Sequence, residues 1–285
     1  MRRFFPGCKA MDFSRLSCST ICFRHFPLTE ALAAIRSLGF THADIGTLPG
    51  FCDHFDFVRA SVPDAARFCA IVRASGLQVH TFTTNIGEPN EAGFSLESYR
   101  CAGLANIRVA SELGAFGIVL NCGAAIDRAR DGFSDHVGRV GDAIGHLALD
   151  AEAAGVRLMI EAPHKSKLCR DADEALALLR ACGHPNVQLI LDINHHHAAG
   201  WKPARVVATL GAANIGVVHL RDAAGRDNRF PLGAGEIDFR ELFAALENGG
   251  YAGRYAFEFT DAATTLEGNV EMLRRSLAYI AQLSP

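Results

Sequence analysis

The sequence predicts a single-domain (β/α)8 barrel of the TIM type, and three observations support this prediction. Short apolar runs alternate with amphipathic stretches along the 285 residues, which is the pattern of repeated strand–helix units. Seven glycines stand between a helical pattern and the next apolar run, where a helix C-cap is expected. Four apolar runs in the second half end at or beside a carboxylate or histidine, and a closed barrel would bring these ends around one mouth.

Eight runs have the length and residue types of buried strands. The intervals between them leave room for one helix and two loops, as in a parallel strand–helix–strand unit. The predicted strands lie near Leu16–Ile21, His42–Ile45, Leu77–Phe82, Phe116–Leu120, Arg157–Glu161, Val187–Asp192, Ile215–His219 and Arg254–Phe259.

Eight amphipathic stretches fill the intervals between the strands and the last part of the chain. The predicted helices lie near Leu28–Leu38, Pro63–Ser75, Ser95–Leu113, Ser134–Ala154, Asp171–Cys182, Pro203–Leu210, Phe239–Asn248 and Glu267–Gln282. Each of the first seven is followed by a glycine that is expected to end the helix in the left-handed conformation. These glycines are Gly39, Gly76, Gly114, Gly155, Gly183, Gly211 and Gly249.

A doubly wound open sheet gives a similar one-dimensional pattern and is the alternative fold. An open sheet would spread the ligand-bearing strand ends along its edge, whereas a barrel gathers them. The composition shows no break or linker, so residues 1–285 are predicted to form one domain. Two long connections, residues 46–62 and 221–238, are expected to lie over the mouth of the barrel.

Composition narrows the class of protein. The hydrophobic fraction of 49% suffices for a large core, and a net charge of −3 with a pI near 6.4 provides no basic field for nucleic acid. The nine cysteines are scattered without CxxC pairs, which favours free thiols in a reducing compartment. No stretch reaches the length of a membrane span, and the first residues lack the apolar segment of a signal peptide. We therefore expect a soluble cytoplasmic protein.

Glu161, Asp192, His219 and Glu258 lie at the ends of the last four predicted strands. Three carboxylates and one imidazole suit a divalent cation; we expect Mn²⁺, with Co²⁺, Mg²⁺ or Zn²⁺ as the other choices. Alone, a strand-end carboxylate is ordinary, and a lone histidine is most often a core residue. Glu258 is the most informative of the four, because a glutamate between two phenylalanines carries a desolvation cost that a cation offsets.

A divalent metal held by a substrate's carbonyl and neighbouring hydroxyl makes the adjacent C–H acidic by stabilising an enediolate. Glu161 and Glu258, from predicted strands five and eight, are the candidate catalytic pair, since a carboxylate on each face of a carbon can remove and return its proton. This chemistry predicts an isomerase or epimerase of a small sugar or hydroxy-ketone. If a β-hydroxyl leaves instead, the same site is a dehydratase of an inosose-like keto-polyol.

These motifs resemble those of the xylose isomerase-like TIM barrel superfamily, which contains sugar isomerases and epimerases, inosose dehydratases and endonuclease IV. The resemblance implies that the two glutamates, the aspartate and the histidine bind one divalent metal, and that the glutamates transfer protons as in the ketose 3-epimerases of carbohydrate metabolism. The matching stretches lie in the second half of the chain, whose first half agrees only in its strand–helix rhythm. They are Ile160–His164, Leu191–His195, Val218–Asp222, Leu232–Asp238 and Phe257–Glu258.

Candidate substrate-binding residues lie in the loops predicted over the mouth. Arg229 is expected to pair with a hydroxyl, carboxylate or phosphate, with Arg226 as its competitor and a solvated loop arginine as the alternative for both. His164 and Lys167 follow Glu161 in its loop. In the ketose 3-epimerases a second glutamate follows the first metal ligand six residues later, where this chain has Lys167. This departure leaves room for an anionic or keto-acid substrate.

Other polar residues at the predicted strand ends are further candidates. His195 is expected to reach a ligand or substrate beside the metal, whereas the two histidines that follow it are expected to hold hydrogen bonds in a loop or the core. Asn121 ends predicted strand four and is a candidate for binding substrate or for capping a turn. His54 and His80 are more often structural at such positions.

Two other functions compete with the enzyme prediction. A DNA-repair endonuclease is disfavoured, because Asn121 and Arg229 stand where endonuclease IV has metal-binding histidines and because the chain is acidic. A non-catalytic barrel acting as a binding module is the second alternative, since a fold alone establishes no activity. The expected partner is a small sugar or keto-polyol, without nucleic acid or membrane. The resemblance also allows a homodimer or homotetramer.

Overall fold

The computed structural model describes residues 12–164, 166–225, 227–260 and 263–283. In these ranges eight parallel strands form the predicted closed barrel, surrounded by helices. The barrel strands are β1 (Leu16–Ser19), β2 (His42–Thr47), β3 (Gln78–Thr84), β4 (Gly117–Asn121), β5 (Arg157–Glu161), β6 (Val187–Asp192), β7 (Ile215–Leu220) and β10 (Arg254–Phe257). Two short strands, β8 (Asp222–Ala224) and β9 (Asp227–Phe230), form an antiparallel hairpin outside the barrel.

The helices pack around the barrel and end close to the predicted positions. They are α1 (Leu28–Ser37), α2 (Val62–Ala74), α3 (Leu96–Glu112), α4 (Phe133–Ala153), α5 (Ala172–Cys182), α6 (Ile193–Ala198), α7 (Pro203–Leu210), α8 (Phe239–Asn248) and α9 (Leu266–Leu283). A capping box between Ser61 and Asp64 begins α2, and the Asp171 carboxylate caps α5. Within the described ranges, none of the helices is long and apolar enough to cross a membrane.

The strands close in the order β1-β10-β7-β6-β5-β4-β3-β2. Every pairing in this ring is parallel, including the closure of β1 against β10 at Leu16 and Tyr255. Because all eight strands run in the same direction, their carboxyl ends lie around one mouth of the barrel. The open-sheet alternative is therefore wrong.

The core has two layers separated by the strands. A large cluster fills the space between strands and helices, and a small cluster of five residues from five adjacent strands forms a second core. Since successive side chains of a strand point to opposite faces, the residue two positions after each member of the small cluster points to the same side, one layer nearer the mouth. The small cluster is Val119, Met159, Ile190, Val217 and Ala256.

Two local predictions require correction. Gly249 does not end α8 in the left-handed conformation, because its φ is −77° and the next residue, Gly250, has the positive φ of 76°. The left-handed residue therefore lies one position further along the chain than the pattern suggested, whereas α8 itself ends at Asn248 as predicted. The short helix α6 and the β8–β9 hairpin were not predicted, since each is too short to show a hydrophobic period.

The first three strands bury a carboxylate of their own. Asp44 of β2 is completely buried and accepts short hydrogen bonds from the hydroxyls of Ser17 on β1 and Thr81 on β3. His80 Nδ1 lies 3.4 Å from Asp44 Oδ1, the oxygen that accepts from Thr81. Burial alone would raise the pKa of Asp44, but His80 and the two hydroxyls hold that pKa below its usual value. Asp44 is thus an ionised group with its hydrogen bonds largely satisfied.

Candidate metal centre

The four predicted metal ligands converge at the mouth. One side-chain ligand atom from each of Glu161, Asp192, His219 and Glu258 lies within 4.8 Å of the other three. The strand geometry explains this convergence, because each residue stands two positions after a member of the small core cluster. Asn121 stands two positions after Val119 and is paired in register with Glu161. Metal binding by the four residues stays a prediction.

Buried polar atoms in this group lack hydrogen-bond partners. Both ring nitrogens of His219 and Oε1 of Glu258 have none within the described part of the chain. His219 Nδ1 lies 3.0 Å from Glu258 Oε2, but the two atoms do not have hydrogen-bond geometry. Unpaired buried nitrogen and oxygen atoms are costly unless a ligand such as a cation binds them. The donor set therefore fits a divalent ion.

Charged neighbours move the pKa values of these residues away from those that burial alone would give. Burial would lower the pKa of His219, but Glu258 and the other carboxylates raise that pKa to about 9. Burial would raise the pKa of Glu161, yet nearby histidines, His195 first, hold it well below its usual range. Burial would likewise raise the pKa of Asp192, whereas Arg221 and then His195 lower it. Glu161 and Asp192 are accordingly anionic at neutral pH, as a metal ligand requires.

Arg221 is a member of the site that the sequence analysis did not identify. Its side chain is 7% exposed and its Nη2 donates a short hydrogen bond to Asp192 Oδ2. The same nitrogen donates to His195 Nε2 at 3.0 Å and lies 3.7 Å from Glu161 Oε1. The sequence does contain one signal for this position. Arg221 stands two residues after His219, and residues two apart on a strand share a face.

His195 and His164 lie beside the four ligands. His195 belongs to α6, and its Nε2 is 3.5 Å from Glu161 Oε1 and 3.6 Å from Asp192 Oδ2. The His164 ring centre is 4.2 Å from that of His195, and Ser166 N donates to His164 Nδ1 at 3.3 Å. Burial lowers the pKa of His164 to about 4, so its ring is neutral at neutral pH.

Two polar pairs line the neighbouring part of the mouth. Lys167 forms a short ion pair with Glu88, which comes from the loop after β3. Burial raises the pKa of Glu88, while Lys167 opposes this effect. Asn121 donates from Nδ2 to Asn85 Oδ1 at 3.2 Å. The position where the ketose 3-epimerases carry a glutamate thus presents a lysine together with a carboxylate from a distant loop.

Arg229 is exposed in this structure and pairs with a residue of its own hairpin. It belongs to β9, its side chain is 60% exposed, and it forms a bidentate pair with Asp227 at 2.9 Å. Substrate binding by Arg229 stays a prediction. Its competitor Arg226 lies outside the described residues.

The other histidines have different environments. His54 contacts Thr20 Oγ1 at 2.9 Å and the Phe26 carbonyl at 3.1 Å, and His80 stacks on a phenylalanine, as expected of structural residues. His197 lies 3.4 Å from a glutamate oxygen. His196 was expected to hold hydrogen bonds, but it is completely buried and neither ring nitrogen has a partner in the described ranges. Burial lowers the pKa of His196 to about 3, which keeps the ring neutral.

Asp222 anchors the loop that follows β7. Its carboxylate accepts hydrogen bonds from the backbone N–H groups of Gly233 at 2.8 Å, Gly235 at 2.9 Å and Ile237 at 3.2 Å. A Cβ atom on Gly235 would collide with the Asp222 carboxylate, which explains the glycine at this position. These contacts join two of the motifs on which the sequence resemblance rests.

This chain is a TIM barrel protein. Carboxylates and histidines gather at the mouth formed by the carboxyl ends of its strands. The xylose isomerase-like TIM barrel family matches residues 32–282. Since this match covers most of the chain, the protein belongs to that family.

Individual proteins show the same likeness over parts of the chain. An L-ribulose 3-epimerase of Mesorhizobium japonicum is 35% identical over 118 residues, which are 41% of this chain and 38% of that protein. A proposed hydroxypyruvate isomerase of Mus musculus is 33% identical over 97 residues, 33% of each chain. The crystal structure of an IolI protein with a bound zinc atom superposes with a TM-score of 0.78 at 17% identity, covering 95% of this chain and 99% of that one. The curated relatives are thus matched over less than half their length.

Proposed function

We propose that this protein is a divalent-metal-dependent isomerase or epimerase of a small sugar or hydroxy-ketone. The observation that carries the proposal is the convergence of four ligand atoms within 4.8 Å, among which the nitrogens of His219 and one oxygen of Glu258 have no other partner in the described ranges. The names of the curated relatives, an L-ribulose 3-epimerase and a hydroxypyruvate isomerase, support the same reaction class. The barrel would act as one domain spanning residues 1–285.

Glu161, Asp192, His219 and Glu258 would hold the ion, with Mn²⁺ as the first choice. The zinc in the similar IolI structure supports a divalent ion of this kind. When bound, the ion would draw electron density from a substrate carbonyl and make the neighbouring C–H more acidic.

Glu161 and Glu258 then serve as the proton-transfer pair. They extend from β5 and from the end of β10, which are separated in the barrel by β6 and β7, and so approach a bound substrate from different sides. One carboxylate removes the proton from the carbon beside the carbonyl, and the other delivers a proton to the opposite face, giving the epimer. Delivery to the neighbouring carbon, with proton movement between the two oxygens, gives the aldose–ketose isomer instead.

The polar residues around this pair would orient the substrate. His195, His164 and Asn121 present hydrogen-bonding groups beside the ligands. Lys167 and its partner Glu88 offer both a cation and a carboxylate, which suits a polyhydroxy ketone or a hydroxy-keto acid. Such a substrate is a small molecule of carbohydrate metabolism, and we expect the enzyme to act in the cytoplasm.

Elemental analysis combined with deuterium exchange tests the proposed function. The purified protein, with and without prior chelator treatment, is incubated in heavy water with a panel of ketoses, inososes and hydroxypyruvate. We expect one divalent ion per chain and chelator-sensitive deuterium at a carbon next to a carbonyl. Loss of a water from the labelled product would identify a dehydratase, and absence of both metal and exchange would overturn the proposal.

A further inference from the structure

A second group of ligand-type atoms lies against the proposed metal centre and shares one carboxylate with it. One atom from each of Glu161, His164 and His195 lies within 4.8 Å of the other two. A bridging carboxylate with two imidazoles is the donor set of a second transition-metal ion. By ligand type alone, this mouth therefore has the composition of a two-metal centre.

Arg221 already occupies the donor atoms of this second group. An arginine has only N–H donors, so His195 Nε2, 3.0 Å from Arg221 Nη2, must offer its lone pair to the guanidinium. A metal ion on that nitrogen would need the same lone pair. The guanidinium also lies 3.7 Å from Glu161 Oε1, the shared carboxylate, and is bonded to Asp192 of the first group. An ion bound to His195 Nε2 at about 2.1 Å would lie within about 5 Å of Nη2.

The balance of charge favours one ion with Arg221 present. The four-ligand group contains three carboxylates, from Glu161, Asp192 and Glu258. One divalent ion and the buried guanidinium neutralise these three negative charges. A second divalent ion would leave a buried excess of two positive charges, which is unfavourable at low solvent exposure. Without the guanidinium, a second ion is the available source of positive charge.

We propose that Arg221 takes the place of a second metal ion and limits the centre to a single divalent cation. This inference rests on the proposed function, because it requires the first ion at the four-ligand group. Arg221 is thereby a positioning residue: it fixes Asp192 and His195 and closes the Glu161–His164–His195 group to metal.

The number of ions bound per chain tests this role without any activity assay. Metal-free wild-type protein and the variants Arg221→Met, Arg221→Lys and Arg221→Met/His164→Ala are titrated with Mn²⁺, and bound ions are counted by equilibrium dialysis and electron paramagnetic resonance. Circular dichroism verifies that each variant is folded. We expect one ion in wild type, two exchange-coupled ions in Arg221→Met, and one ion in both the lysine variant and the double variant.

Several outcomes would overturn the inference, and one separates it from the proposed function. Two ions in wild type or in Arg221→Lys, or one ion in folded Arg221→Met, would contradict the role of Arg221 as the replacing cation. If Arg221→Met does not fold, the single variant His164→Ala provides the test. Unchanged Mn²⁺ affinity in this variant supports the inference, and a tenfold loss of affinity overturns it. No ion in wild type would refute the metal-dependent function itself.

Discussion

The barrel contains two groups of buried or half-buried carboxylates that differ in how their hydrogen-bonding capacity is used. Asp44, among β1, β2 and β3, receives hydrogen bonds from two hydroxyls on the adjacent strands. The carboxylates at the ends of β5, β6 and β10 instead surround a histidine whose two ring nitrogens have no partner within the described residues. Both groups follow from strand alternation. A satisfied polar group stabilises the fold, whereas an unsatisfied group is prepared to bind a ligand.

Replacing Glu258 should produce the largest effect, because this residue is both a proposed ligand and a proposed acid–base group. We expect Glu258→Gln to lower turnover by about 10³-fold or more while the protein remains folded. Turnover is measured as deuterium exchange, and folding by thermal unfolding. Glu271→Gln, the same chemical change at an exposed position of α9, is the control. Full activity in Glu258→Gln would remove this residue from the mechanism.

Divalent ions should stabilise the wild-type protein by binding to the four converging residues, which are Glu161, Asp192, His219 and Glu258. At an ion concentration about 100 times Kd, binding to the native state adds about 2.7 kcal/mol to the free energy of unfolding. Urea titrations with Mn²⁺ or with chelator measure this difference. His219→Ala should show little of it, because one ligand is lost. Equal stabilisation of this variant would exclude His219 as a ligand.

Asp44→Asn should weaken the fold without changing the metal site. The change replaces charge-assisted hydrogen bonds from Ser17 and Thr81, so we expect a loss of about 2 kcal/mol in the free energy of unfolding. Metal content per folded chain should equal that of wild type. A variant that lost its metal but kept its stability would mean that the two groups had been assigned the wrong roles.

The buried His196 should make the protein sensitive to acid. Its pKa is lowered to about 3 in the folded state, while an unfolded histidine titrates near 6.5. Its neutral form therefore supports full stability above about pH 6.5, and this contribution is lost as the pH falls toward 3. We expect His196→Gln to reduce the slope of unfolding free energy between pH 6 and 4 by about 1.4 kcal/mol per pH unit, measured on metal-free protein. His197→Gln, the same change at the partly exposed neighbouring histidine, is the matched control.

The sequence predicted the barrel and the four converging residues because both depend on short-range regularities. Strand length, helix period and glycine position give the order of elements. Alternation along each strand then places Glu161, Asp192, His219 and Glu258 around one mouth. The same regularities do not fix the exact position of a helix cap. The pattern places the left-handed residue after α8 at Gly249, but Gly250 carries the positive φ.

The contacts between distant segments could not be predicted in this way. Lys167 meets Glu88 across 79 residues of sequence, and Asp44 draws its partners from two other strands. Neither set of contacts has a local sequence pattern, because each depends on which loops and strands become neighbours after the barrel closes. Arg221 was overlooked for a different reason. An arginine next to a strand end is usually solvated, and only its burial reveals its role.

The hydrogen bonds of Asp222 have a consequence for the loop that follows β7. One carboxylate fixes the returning part of the loop at Gly233, Gly235 and Ile237, and Gly225 of the hairpin donates its backbone N–H to the Glu236 side chain in the same returning part. Both arms of this loop are therefore held to each other and to Asp222, close to the end of the strand that carries His219.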